Sequence, residues 1–121
     1  FNSCYTKVAL AILNGNVTIY DFNYTTGAVT NPVTVSTPAQ IPGAYGLEFS
    51  NSGNYLYVSQ TEVANRGVFQ YNVTTAAAPV KLTPNFTSGI NYGGHLQLGP
   101  DGIIYSSNLN SFGTSPSGYV G

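Results

Sequence analysis

The chain has 121 residues, enough for one ordinary domain, and only 6% of them are charged, against roughly 25% in a typical soluble domain. Three Lys and Arg against four Asp and Glu leave a net charge of −1, with no basic run for nucleic acid or an anionic membrane surface, so neither partner is expected. A content of 42% hydrophobic and 13% aromatic residues argues against intrinsic disorder, and a single cysteine, Cys4, excludes an internal disulfide framework.

In chain order, residues 6–13 read as the first strand. They hold the longest apolar run, Val8 to Leu13, which is too short to cross a bilayer as a helix, where about 18 residues or more are needed. No membrane insertion is expected. Residues 16–24 and 29–36 read as the next two strands. Residues 45–50, 54–60, 66–73 and 79–83 form a second group, with alternation in Leu47-Glu48-Phe49 and in Val68-Phe69-Gln70-Tyr71. Residues 93–99 and 102–108 form a last pair. Between the strands lie the turn signals Asn51-Ser52-Gly53-Asn54 and Pro100-Asp101-Gly102, whose Asn, Asp and Gly suit tight hairpins, so the pairing is expected to be antiparallel. Seven prolines are spread along the chain, and no segment combines helical spacing with a cap and a stop. Almost no helix is expected.

The sequence repeats at an offset of 49 residues. Tyr20-Asp21-Phe22-Asn23-Tyr24-Thr25-Thr26 lies over Phe69-Gln70-Tyr71-Asn72-Val73-Thr74-Thr75, aromatic on aromatic and Asn-x-Thr-Thr on Asn-x-Thr-Thr. Leu47-Glu48-Phe49 lies over Leu96-Gln97-Leu98 and Gly53 over Gly102. After a one-residue deletion Tyr57-Val58-Ser59 lies over Tyr105-Ser106-Ser107. Four antiparallel strands in a unit of this length are the size of a β-propeller blade. The fold expected is therefore all-β: about 2.5 blades of an incomplete ring. Residues 1–44 are the end of one blade, 45–92 a complete blade and 93–121 the start of a third. The repeat begins and ends inside blades, so the chain is expected to be part of a longer polypeptide whose remaining blades or domains are its first partners.

The segments 45–59 (Tyr45-Gly46-Leu47-Glu48-Phe49 through Ser59) and 96–105 (Leu96-Gln97-Leu98-Gly99-Pro100-Asp101-Gly102 through Tyr105) resemble blades of large secreted Bacteroidetes propeller proteins. In those proteins similar phrases precede immunoglobulin-like PKD modules and a type IX secretion signal. The resemblance implies a secreted or cell-surface address, in a context of adhesion or gliding, with the secretion machinery and a surface glycan or protein as further partners. A second resemblance, to lactonase-like propellers, is carried by His95-Leu96-Gln97-Leu98-Gly99-Pro100-Asp101-Gly102. It implies a hydrolase with His95 near the channel mouth, although Gly94 stands where that family often has Arg and Gly46 is the equivalent of His95 one blade earlier.

Three residues are candidates for a site. His95, where the chain enters an innermost strand, is read either as a general base or ligand contact, or as a hydrogen-bonded residue of the blade junction. Glu48 and Gln97 share one repeat position, polar in both blades between apolar neighbours, which suits a ligand contact or the satisfaction of backbone groups. No metal site and no cofactor are expected, because Asp21 and Asp101 are isolated, Asp101 already serves a turn, and His95 is the only imidazole. Glu62 and Arg66 are read as an exposed loop pair. Asn16, Asn23, Asn72 and Asn85 head Asn-x-Thr sequons that matter only in a glycosylating host. The function expected is a non-enzymatic binding, adhesion or secreted-cargo module of a larger protein, the alternatives being a lactonase-like hydrolase and a self-assembling structural subunit.

Overall fold

In a computed structural model of the chain the described residues are 1–61, 67–82, 94–110 and 113–120. Every regular element among them is a strand, and every pairing is antiparallel. The first sheet has the order β1 (Lys7–Ala11), β2 (Val17–Asn23), β3 (Ala28–Ser36). The second has the order β4 (Ala44–Phe49), β5 (Tyr55–Gln60), β6 (Gly67–Asn72), β7 (Val80–Leu82). The third has the order β8 (Leu96–Leu98), β9 (Ile104–Asn110), β10 (Gly113–Val120).

The strands expected from the sequence are present, with β1, β7 and β8 shorter than anticipated. Residues 83 and 93, the loop pair Glu62 and Arg66, and Asn85 lie outside the described residues. Strand β10 is an addition to the expected set. Its Gly, Ser and Pro residues carry the signature of a turn, yet it pairs with β9 across a register shift between Pro116 and Tyr119, the irregularity at which a proline is tolerated in a sheet.

The turns explain the repeat at the level of single hydrogen bonds. Gly53 N donates to Ser50 O at 2.9 Å with φ +74°, and Gly102 N to Gly99 O at 3.0 Å with φ +79°. Ahead of β1, Tyr5 N donates to Asn2 O at 3.0 Å with φ +53°, so residues 2–5 build the same turn a third time. The two copies of Asn-x-Thr-Thr are also turns. Asn23 Oδ1 accepts from Thr25 N and Thr26 N at 3.0 and 3.1 Å, and Asn72 Oδ1 from Thr74 N and Thr75 N at 2.9 and 3.0 Å. A short amide side chain capping its own downstream backbone is the chemistry that favours Asn at such corners.

Strand β5 shows how the sheets lie together, because both its faces are buried. Leu56 and Val58 point into a cluster with Val17 and Ile19 of the first sheet and with Ile41, Phe49 and Tyr71. Tyr57 points the other way, into a cluster with Val68 and with Leu96 and Ile104 of the third sheet. A strand covered on both sides has no need of polar alternation, which is why Tyr55-Leu56-Tyr57-Val58 is apolar throughout. Strand β4 touches β1 and also β8, so the first strands of the second and third sheets line up side by side.

Candidate functional site

Glu48 and Gln97 come from these neighbouring first strands. Glu48 Oε2 accepts a hydrogen bond from Leu98 N at 3.1 Å, linking the second sheet to the third through a charged acceptor. The position is polar in β4 because the next strand presents a backbone N–H to it. Gln97, its counterpart, is exposed and among the described residues makes only a long 3.5 Å contact from Nε2 to Leu98 O.

Both side chains line a cleft of about 360 Å³ at the ends of β4 and β8, closed on its third side by Phe1, Ser3 and Tyr5 of the turn before β1. Most other polar groups of the lining are occupied within the protein. Asn2 Oδ1 accepts from Thr6 N and Lys7 N at 2.9 and 3.0 Å, and its Nδ2 donates to Thr6 Oγ1 at 3.0 Å. Ser50 Oγ accepts from Tyr55 N at 3.2 Å, and Ser3 Oγ donates to Asn51 O at 3.1 Å, tying the turn before β1 to the turn after β4. No Lys or Arg is among the described lining. Lys7, just beyond it, is held by Asp21 Oδ1 at 2.6 Å.

His95 lies at the other end of β8, about 10 Å of extended chain from Leu98. Its exposed ring meets the ring of Tyr45 edge-on, with centroids 5.9 Å apart and planes at 80°. Beneath this pair the second and third sheets join through one hydroxyl. Ser59 Oγ accepts from Gly46 N at 2.8 Å and donates to Gly94 O at 2.6 Å, all buried. Gly46 has no room for a side chain, since a Cβ would stand 2.5 Å from Gly94 O and 2.6 Å from Ser59 Oγ. The absence of histidine from this position in the earlier repeat therefore has a steric cause. The structure brings Glu48 and Gln97 together and leaves His95 apart from them.

The isolated acids have local partners. Asp21 is held below the usual carboxylate range by hydrogen bonds from Lys7 and then Asn31, with the Lys7 charge adding to them. Asp101 is lowered first by the Tyr105 hydroxyl, at 2.7 Å, and then by Ile103 N, and the same contact raises Tyr105. Among the described residues no three His, Cys, Asp or Glu side chains cluster as metal ligands do. Sequence reasoning missed the aromatic side of the cleft, Phe1 and Tyr5. The available signal was Tyr5, which occupies the place of Gly53 and Gly102 in the repeated turn.

No family model matches the chain, and no curated protein matches it. Among solved structures it is similar to a luciferin-regenerating enzyme, with a TM-score of 0.64 and 14% identity, over 89% of this chain and 35% of that one. The chain is built of β-propeller blades. This propeller segment thus spans about a third of the length of the enzyme it resembles. An identity of 14% carries the likeness of fold alone, and propeller folds host many unrelated activities.

Proposed function

We propose that the chain is a non-catalytic binding segment of a larger secreted or cell-surface β-propeller protein, and that its ligand sits in the cleft between Glu48 and Gln97. The observation that carries this reading is the cleft itself. Three successive repeats contribute to it, and it gathers two exposed aromatic rings, a carboxylate and an amide in one concavity, the composition of a small-molecule site. The extracellular address is supported by the low charge and by the resemblance to exported Bacteroidetes propellers, in which further blades of the same polypeptide and the type IX machinery are the partners.

The rival reading is a lactonase-like hydrolase centred on His95, whose exposed ring stands beside Tyr45. The two separate in one pair of measurements. A small-molecule fragment library is titrated against the labelled chain, and ester and lactone hydrolysis is assayed with and without His95→Ala. Shifts gathered at the amides of residues 48–50 and 97–98, with no hydrolysis, are expected. Shifts centred on Tyr45 and His95, with hydrolysis that vanishes in His95→Ala while the melting temperature holds, would overturn the proposal.

A further inference from the structure

Three copies of one turn use two kinds of residue at the same left-handed position. Gly53 and Gly102 adopt φ +74° and +79°, while the first copy places Tyr5 there at φ +53°. A residue with a bulky side chain rarely takes this conformation. The turn itself uses only the backbone of Tyr5, through Tyr5 N to Asn2 O. Tyr5 is 58% exposed and lines the cleft, and its ring lies tilted at 46° to the ring of Phe1 with centroids 5.9 Å apart. An aromatic ring is thus kept in an unfavourable backbone position where its neighbours have glycine, and strain of this kind tends to collect at ligand sites.

The polar side of the cleft is equally selective. Among the described residues Glu48 Oε1 makes no hydrogen bond, and Gln97 keeps its carbonyl oxygen and most of its donor capacity. A carboxylate oxygen asks for donors, and an amide both donates and accepts. With Glu48 present and no Lys or Arg in the described lining, an anionic ligand is disfavoured. A ligand with hydroxyl groups on its rim and an apolar C–H face satisfies both sides of the cleft at once. Resting on the reading of the cleft as a ligand site, we infer that it is a saccharide subsite, in which a neutral pyranose ring lies against Tyr5 with its hydroxyls on Glu48 and Gln97. A quaternary ammonium also suits aromatic rings and a carboxylate, but it gives the Gln97 amide no partner, and two tilted rings make a platform instead of a closed cage.

The test is calorimetric titration of the 121-residue chain with methyl glycosides of common neutral pyranoses and with tetramethylammonium, read in parallel by amide shifts. At least one glycoside is expected to bind and to shift the amides of residues 3–5, 48–50 and 97–98. Tyr5→Gly should weaken that binding tenfold or more while the melting temperature holds or rises, since glycine serves the same turn twice elsewhere. Tyr5→Phe should restore the binding. Unchanged glycoside binding by Tyr5→Gly overturns the inference. Occupation of the cleft by tetramethylammonium alone also overturns it, but leaves the cleft a ligand site. If no probe, fragment or glycoside, shifts a cleft amide, both readings fall together.

Discussion

Gly46 and Ser59 mark a point where single atoms decide whether two sheets can meet. Gly46→Ala places a methyl group against Gly94 O, Ser59 Oγ and Leu96 N, two of which are backbone atoms fixed in the next repeat. A loss of about 1–3 kcal/mol is expected, as for other overpacked sites. Ser59→Ala is expected to cost about 1–3 kcal/mol for a different reason, because it strands the buried Gly46 N–H and Gly94 carbonyl. Chemical denaturation of both variants checks the pair. Gly53 supplies the contrasting case: a Cβ there meets nothing closer than 3.6 Å, so Gly53→Ala should lose only the cost of a left-handed residue, about 1 kcal/mol. These roles differ in how far the sequence discloses them. Gly53 announces itself within Asn51-Ser52-Gly53-Asn54, whereas Gly46 owes its identity to a carbonyl 48 residues further along the chain, which no local pattern contains. Tyr5 is intermediate, since only its alignment with two glycines reveals it.

The first sheet is pinned across its strands by Asp21, which receives Lys7 from β1 and Asn31 from β3 at 2.6 and 2.8 Å. Both bonds favour the ionised carboxylate, so the folded value lies below the ordinary 3.8. The stabilisation is then fully present above that value and is lost as the pH falls through the lowered one. Wild type should exceed Asp21→Asn in melting temperature at neutral pH, and the gap should close in acid below about pH 4. A gap that persists unchanged in acid would show that the carboxylate charge has no part in it. Neither cross-strand pair was legible, because the register that sets Lys7 against Asp21 depends on where the hairpin turns. The strands themselves were legible wherever alternation or β-branched runs met turn residues on both sides. Strand β10 was not, because pairing with β9 overrides a local preference for turns in its Gly-Thr-Ser-Pro-Ser-Gly stretch.

Across the whole molecule the sheets differ in cover. Strand β5 is buried on both faces, whereas Leu10, Val29 and Val33 of the first sheet are 49%, 52% and 46% exposed. Val8 and Tyr20 pair on the face of the first sheet opposite Ile19, and the register places them with Val58 and Phe69, which in the second sheet pack against a neighbour. The isolated chain should therefore self-associate through this face. Sedimentation velocity is expected to show a concentration-dependent oligomer, and Leu10→Glu to shift it toward monomer. A wild-type chain that stays monomeric at high concentration would contradict this. The repeat, visible as a 49-residue offset, foretold the stacking of sheets. It did not foretell the cleft, whose walls come from three repeats and whose aromatic side is present in only one of them.

The Ser59 junction also bears on the surroundings the molecule can tolerate. The second and third sheets are joined there by a neutral hydroxyl between two neutral backbone groups, and the packed faces beside it are apolar. The ion pair of Lys7 with Asp21 lies partly exposed to water near the ends of β1 and β2. Dissolved salt weakens attraction between exposed charges and leaves buried dipoles nearly untouched. The unfolding midpoint should accordingly drift very little from dilute buffer to brine, apart from the gradual strengthening of apolar burial by strongly hydrated salts. A steep fall with sodium chloride would mean that unrecognised charge pairs hold the sheets. A hydroxyl clasped between two buried backbone groups holds its place alike in fresh water and in brine.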